Sequence, residues 1–178
     1  MLTIKAFLKY QIFLKHIGDE DAVIQKIPGL LEEAIIKEDF VIPMAVGTQL
    51  RLTVIYDPTI DAVTTDCKLS FEFDFGSQLY KTTFYINELY LDQNQNMGGV
   101  ACSESIDNLV TGANTLQIVA SNDKFEVYIN GVLYQSCVST ARLQEFNQIS
   151  MSTGNKNCFS PIADTIQLVH KLNKGYYT

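Results

Sequence analysis

GANTLQIVASNDKFEVYINGVLY, residues 112–134, decides the fold class of this chain. Leu116, Ile118 and Ala120 alternate with Thr115, Gln117 and Val119. After the polar Ser121-Asn122-Asp123-Lys124, Phe125, Val127 and Ile129 alternate with Glu126, Tyr128 and Asn130. A period of two sends successive side chains to opposite faces, so each run is a strand with one apolar face and one face toward water. Asn130-Gly131 follows at once, and both residues tolerate the positive φ that a two-residue hairpin demands. The stretch therefore predicts consecutive antiparallel strands joined by tight polar turns.

The same texture extends outward from it. Upstream, LRLTVIY (50–56) is followed by CKLSFEFDF (67–75), in which Leu69, Phe71, Phe73 and Phe75 alternate with Lys68, Ser70, Glu72 and Asp74. TFYINELY (83–90) reads as a further strand with Asn87 at its middle. Many short strands with turn signals at this spacing predict an all-β sandwich of antiparallel sheets. From Leu2 to Leu14 every even position is apolar or aromatic, which predicts another strand. Residues 19–39 differ: they are acidic, place Leu30, Leu31, Ala34 and Ile35 at helical spacing, and contain Pro28-Gly29. They predict a short helix. The expected organisation is an N-terminal extension over 1–43, made of a strand and a short acidic helix, followed by the sandwich over 44–178.

Composition excludes several function classes. The 178 residues carry a formal charge of −7 with dispersed Lys and Arg, so the attraction that supplies most nucleic-acid affinity is missing. The four cysteines, Cys67, Cys102, Cys137 and Cys158, form no CxxC pair, and with His16 and His170 alone there is no metal cluster. Free, buried thiols are the expectation, with no metal and no cofactor. Cys137 or Cys158 beside His170 lacks a third group or an oxyanion motif, so neither reads as a nucleophile. No paired carboxylates, nucleophile elbow or phosphate loop stands out, and the chain reads as non-catalytic. Lys5, Lys9 and Lys15 interrupt each apolar run that would make a signal peptide, and no stretch of about 18 apolar residues predicts a membrane span.

On these residues the sequence resembles the galectin family. The hairpin at 112–134 is similar to the galectin strand pair ending in Val-Asn-Gly or Ile-Asn-Gly, and ARLQEFNQISMSTG (141–154) is similar to the family's Arg-Leu segment and following strand. VGTQLRLTVIY and LSFEFDF stand where galectins place two early strands, and TFYINELYLD where they carry the sugar-binding strand. The resemblance implies a galectin-like, concanavalin-type antiparallel β-sandwich, or jelly roll, over about residues 44–170; a laminin-G-like sandwich is the rival. Galectins bind β-galactosides through a His-x-Asn-x-Arg strand, a following Asn, and a Trp with a Glu and an Arg. Laid on that pattern, Tyr85 takes the His position, Asn87 keeps the Asn, Leu89 replaces the Arg, and Ser103 falls near the second Asn. Glu104 or Asp107 is a candidate for the acid. The Trp is absent, since the chain has none.

Each lost group removes a specific contact. Arg and His give directed donors to sugar hydroxyls, and an aromatic face packs on the C–H side of galactose. A desolvated hydroxyl without its partner costs roughly 1–3 kcal/mol, so ordinary galactoside binding is not expected. The resemblance then implies a non-catalytic recognition module that binds a different glycan through Tyr85, Asn87, Leu89, Asp92, Gln93, Asn94, Ser103 and Glu104. The alternative is a degenerate galectin-like domain that has lost sugar binding and serves in protein–protein interaction or assembly. Leu2, Ile4, Phe7, Leu8, Tyr10, Ile12, Phe13 and Leu14 would then be the interface, pairing with a partner or a second copy in a homo- or hetero-oligomer. The expected location is cytoplasmic, or outside the cell after export without a signal peptide, as in galectins.

Overall fold

The computed structural model describes residues 12–17, 20–27, 35–59, 67–75, 78–85, 90–95, 102–122, 124–138, 146–153, 159–162 and 165–171. They form fourteen strands. In chain order these are β1 (Ile12–Ile17), β2 (Glu20–Lys26), β3 (Ile35–Asp39), β4 (Gln49–Tyr56), β5 (Lys68–Phe75), β6 (Gln78–Tyr85) and β7 (Tyr90–Gln95). They continue with β8 (Cys102–Ser105), β9 (Gly112–Ala120), β10 (Lys124–Ile129), β11 (Val132–Val138), β12 (Gln148–Thr153), β13 (Phe159–Pro161) and β14 (Gln167–Lys171). An eight-stranded sheet runs β1-β2-β14-β4-β9-β10-β11, with β13 also on β4; a six-stranded sheet runs β3-β12-β5-β6-β7-β8. Neighbours pair antiparallel in both sheets.

The two sheets close on the apolar faces that alternation predicted. Leu116, Ile118 and Ala120 of β9 and Phe125, Val127 and Ile129 of β10 are buried against Leu69, Phe71 and Phe73 of β5 and Tyr80 and Phe84 of β6. Phe125 sits at the centre. Its ring lies 3.9 Å from that of Tyr80 and 5.3 Å from that of Phe73, both near-parallel, and meets Phe146 edge-on at 5.6 Å. Offset and edge-to-face arrangements of this kind add to area burial because each ring sets its positive edge against a neighbour's negative face.

Amides lock the predicted hairpins. Asn130 and Gly131 adopt φ of 51° and 80°, as a type I′ turn requires. Asn130 Nδ2 donates to Asn108 O and Asn114 Oδ1, and its own Oδ1 accepts from Thr115 N–H. Buried Asn114 in turn donates to the Val110 and Gly112 carbonyls and accepts from Val110 N–H. Between β10 and β11 the register slips after Val127, so that Gln135 faces Val127 and Leu133 faces Tyr128, leaving Tyr134 as the extra residue of a bulge. Its hydroxyl donates to the Asp107 carboxylate and accepts from Asp107 N–H, tying β11 to the segment after β8.

The N-terminal third departs from expectation. The short acidic helix expected within 19–39 is not found: residues 20–26 and 35–39 are β2 and β3, and the described residues contain no α-helix. Leu30, Leu31 and Ala34 lie outside the described residues. The β-branched Val23, Ile24, Ile35 and Ile36 suit a pleated surface better than a helix. β2 inserts between β1 and β14, and β3 pairs with β12, so these strands belong one to each sheet. Fully buried Gln25 joins them: its Nε2 donates to Asp39 O at 2.9 Å and its Oε1 accepts from Val41 N–H at 3.2 Å. Of the strand expected over 2–14, residues 1–11 fall outside the described residues, and β1 begins at Ile12.

A second correction concerns the cysteines. All four were expected as free thiols, yet Cys67 and Cys102 are both disulfide-bonded, and no free cysteine occurs among the described residues. Wide spacing along the chain misled, because a sandwich brings distant strands together.

His170 on β14 is 1 % exposed, edge-on to Phe40, and neither ring nitrogen finds a hydrogen-bond partner among the described residues. Desolvation lowers its pKa to about 4. The unfolded chain takes up this proton near pH 6.5, whereas the folded chain resists it down to about pH 4, so stability falls as pH drops through that window. The loss from this one group amounts to roughly 3 kcal/mol. Urea midpoints measured from pH 7 to 4.5 should fall in the wild type and flatten in His170→Leu; parallel profiles would show that His170 is not buried neutral.

Candidate functional site

The core fixes the site by exclusion. Because Leu69, Phe71 and Phe73 of β5 face the interior, Lys68, Ser70, Glu72 and Asp74 occupy the outer face of the six-stranded sheet. Register then extends each position across the sheet. One rung reads Lys37, Ser150, Glu72, Lys81, Asn94, and the next reads Ser152, Ser70, Thr83, Asp92, Ser103. A third reads Lys68, Tyr85, Tyr90, Ser105. Hydroxyl, amide and charged groups predominate on this face, with Ile35 opposite Ser152 and Leu79 opposite Asp74 as apolar positions.

Its members differ in availability. Ser70 and Thr83 are buried and hydrogen-bond each other at 3.1 Å, so they are committed to the sheet. Lys81 and Glu72 form an ion pair at 2.9 Å with about a third of each side chain open to solvent, and Ser150 Oγ reaches Glu72 at 3.5 Å. Tyr85 is half-buried, and Ser103, Glu104 and Ser105 are exposed. On the β3 side a polar cleft of about 580 Å³ is lined by Lys37, Asp39, Phe40, Asp74, Asn147 and Gln148. The Gln148 side-chain amide donates to Asp39 at 2.9 Å in its wall, and Asn147 N–H donates to Asp74 O. This volume lies within the usual range of small-molecule sites. Among the described residues no cluster of His, Cys, Asp or Glu is arranged to hold a metal.

The structure brings together half of the expected sugar residues. Tyr85, Asp92, Asn94 and Ser103 occupy outer-face positions. Gln93 and Glu104 fall on the other alternation, opposite Thr82 and Leu91. TFYINELY is not one strand: β6 ends at Tyr85 and β7 starts at Tyr90, the two facing each other across the ladder. Asn87 and Leu89 lie between them, outside the described residues. The outer positions of β6 are therefore Leu79, Lys81, Thr83 and Tyr85, of which Tyr85 alone was expected. Sequence reasoning missed Lys81, Glu72, Asp74 and the cleft on β3 and β12. Alternation in CKLSFEFDF already marks Glu72 and Asp74 as outward, but pairing with residues 37–39 and 147–150 is not local information.

Solved galectin structures share this architecture. The Caenorhabditis elegans galectin LEC-6 superposes with a TM-score of 0.59 at 12% identity, over 83% of this chain and 95% of that one. Sheep galectin-11, in complex with glycerol, gives 0.58 at 11% identity, over 79% and 99%. A human galectin-16 variant gives 0.61 at 15% identity, over 82% and 100%. No family model matches the sequence, and no curated protein matches it. The fold is galectin-like; at these identities the likeness concerns the fold alone.

Because Glu72 and Lys81 are part-exposed, their pairing contributes little to folding, at most about 1 kcal/mol. Glu72→Gln and Lys81→Met should each leave the urea midpoint nearly unchanged. A loss of several kcal/mol in either variant would show that the pair holds the sheet together and is not available to a ligand.

Proposed function

We propose that the protein is a non-catalytic recognition module that binds a glycan other than a simple β-galactoside through the outer face of its six-stranded sheet. The observation that carries this reading is the register-aligned set of hydroxyl, amide and charged groups on that face, from exposed Ser103 through Lys81 and Glu72 to the polar cleft at Asp39, Asp74 and Gln148. Five inter-strand spacings of about 4.8 Å make the face roughly 24 Å across, which suits an oligosaccharide better than a single ring. Lys81 supplies a charged donor, Glu72 an acceptor, and Tyr85 an aromatic surface with a hydroxyl, so donor, acceptor and stacking contacts are all represented. The His, Arg and Trp contacts of ordinary galactoside recognition have no counterpart at these positions. The galectin-like fold supports a sugar-binding module as the starting point.

A glycan array probed with the whole chain should return one or a few related oligosaccharides and no lactose. Calorimetry with lactose at millimolar concentration should show no saturable heat. Lys81→Ala and Tyr85→Ala should each weaken the array ligand about tenfold or more, since each removes a directed contact worth on the order of 1–2 kcal/mol. Lactose binding, or unchanged affinity in both variants, would remove the reading.

A second reading has one observation in its favour: β1 stands at the edge of the eight-stranded sheet and pairs, among the described residues, with β2 alone. An edge strand offers unpaired N–H and C=O groups to another chain. On this reading the N-terminal segment, with Leu2, Ile4, Phe7, Leu8, Tyr10, Ile12, Phe13 and Leu14, mediates assembly. Deleting residues 1–18 should then leave a folded protein by circular dichroism but lower the mass seen by light scattering. A truncated chain that unfolds, or that associates as before, refutes it.

A further inference from the structure

We infer that the chain is closed by two disulfides, Cys102 with Cys137 between the facing sheet edges and Cys67 with Cys158, and that it works in an oxidising compartment. Cys67 and Cys102 are each disulfide-bonded, and geometry forbids their bonding to each other. Cys67 immediately precedes β5, Cys102 opens β8, and β6 and β7 lie between those strands. Three inter-strand spacings separate them by roughly 14 Å, twice the Cα separation of about 7 Å that a disulfide spans. Within one chain of four cysteines, each must therefore take one of Cys137 and Cys158.

Topology chooses between the two pairings. β8 is the last strand of the six-stranded sheet, β11 the last of the eight-stranded sheet, and these two edges lie against each other. The bond between Tyr134 and Asp107 fixes the contact, with Cys137 three residues further along β11 and Cys102 at the start of β8. Cys137 stands in register opposite Phe125, the residue at the centre of the core. Cys67 is buried and lies two residues before Leu69, which pairs with Thr153 at the end of β12. Cys158 follows Thr153 by five positions and directly precedes β13, which joins the other sheet through β4.

Each bridge forms by thiol–disulfide exchange. A cysteine thiolate attacks an external disulfide, a mixed disulfide results, and the second cysteine displaces it, so that two chain thiols are oxidised while the external disulfide is reduced to two thiols. That donor, a small-molecule or oxidoreductase disulfide, is abundant where secreted proteins mature and scarce in the cytosol. Of the two expected locations, the cytoplasm or the exterior after export without a signal peptide, this inference takes the second. Ser103, on the candidate binding face, is the residue next to the bridge at Cys102.

The test is thiol mapping of the whole chain from its natural source, denatured with an alkylating agent and no reductant. Cleavage after Lys and Arg leaves the four cysteines on separate peptides. The expected result is no alkylated cysteine and two linked pairs, 102 with 137 and 67 with 158. Alkylation at any of the four, or linkage of 67 with 137 or 102 with 158, overturns the proposal. In Cys102→Ser, mapped in the same denatured state whether or not it folds well, the newly alkylated thiol should be Cys137; labelling of Cys158 instead overturns the pairing.

Discussion

The stacking of Phe125 on Tyr80 and Phe73 holds the two sheets face to face, and the rest of the molecule depends on it. Phe125 comes from β10 of the eight-stranded sheet, and its partners come from β5 and β6 of the six-stranded one. Truncating such a buried ring costs about 3–5 kcal/mol, a large share of the stability of a single domain. Phe146 closes the cluster edge-on, and Phe40 extends it from Phe73 toward His170.

That contact also determines the outer face of the six-stranded sheet. Once Phe71, Phe73, Tyr80 and Phe84 point inward, the period of the strand forces Glu72, Asp74, Lys81, Thr83 and Tyr85 outward. A slip of one residue would exchange the two sets and bury an ion pair in place of the rings. Core and face are thus two readings of the same residues. Because the rings carry the stability, the outer positions are free to differ from those of a galactoside-binding protein without loss of fold, which is how a galectin-like sandwich accommodates Lys81 and Tyr85 on β6.

Much of this was legible in the sequence wherever the information was local. Strict alternation in GANTLQIVA and KFEVYI, with the Asn130-Gly131 turn between β10 and β11, gave the central strands and their buried faces. The acidic stretch 19–39 suggested a helix, but its described parts are β2 and β3, and β14 and β12, which pair with them, lie more than a hundred residues away, β2 also pairing locally with β1. The single strand expected through Asn87 failed for a related reason: an apolar run does not show where a chain reverses, and no Gly or Pro marks the reversal after Tyr85. The disulfide bonding of Cys67 and Cys102 was hidden altogether, since the distant strands a sandwich brings together have no signature in cysteine spacing. The clustering of Lys37, Asp39, Asp74 and Gln148 into a cleft depends on the same long-range pairing.

The central claim is that recognition occurs on the outer face of the six-stranded sheet. The measurement that addresses it most directly is backbone amide chemical-shift mapping of the isotopically labelled chain, titrated with a neutral oligosaccharide mixture and then with the single component that perturbs it. The account predicts shifts concentrated on β5, β6, β7 and β12 around Glu72, Lys81, Tyr85 and Gln148, with β9, β10 and β14 unmoved. Saturable shifts confined to the eight-stranded sheet, or none with any oligosaccharide, would contradict it.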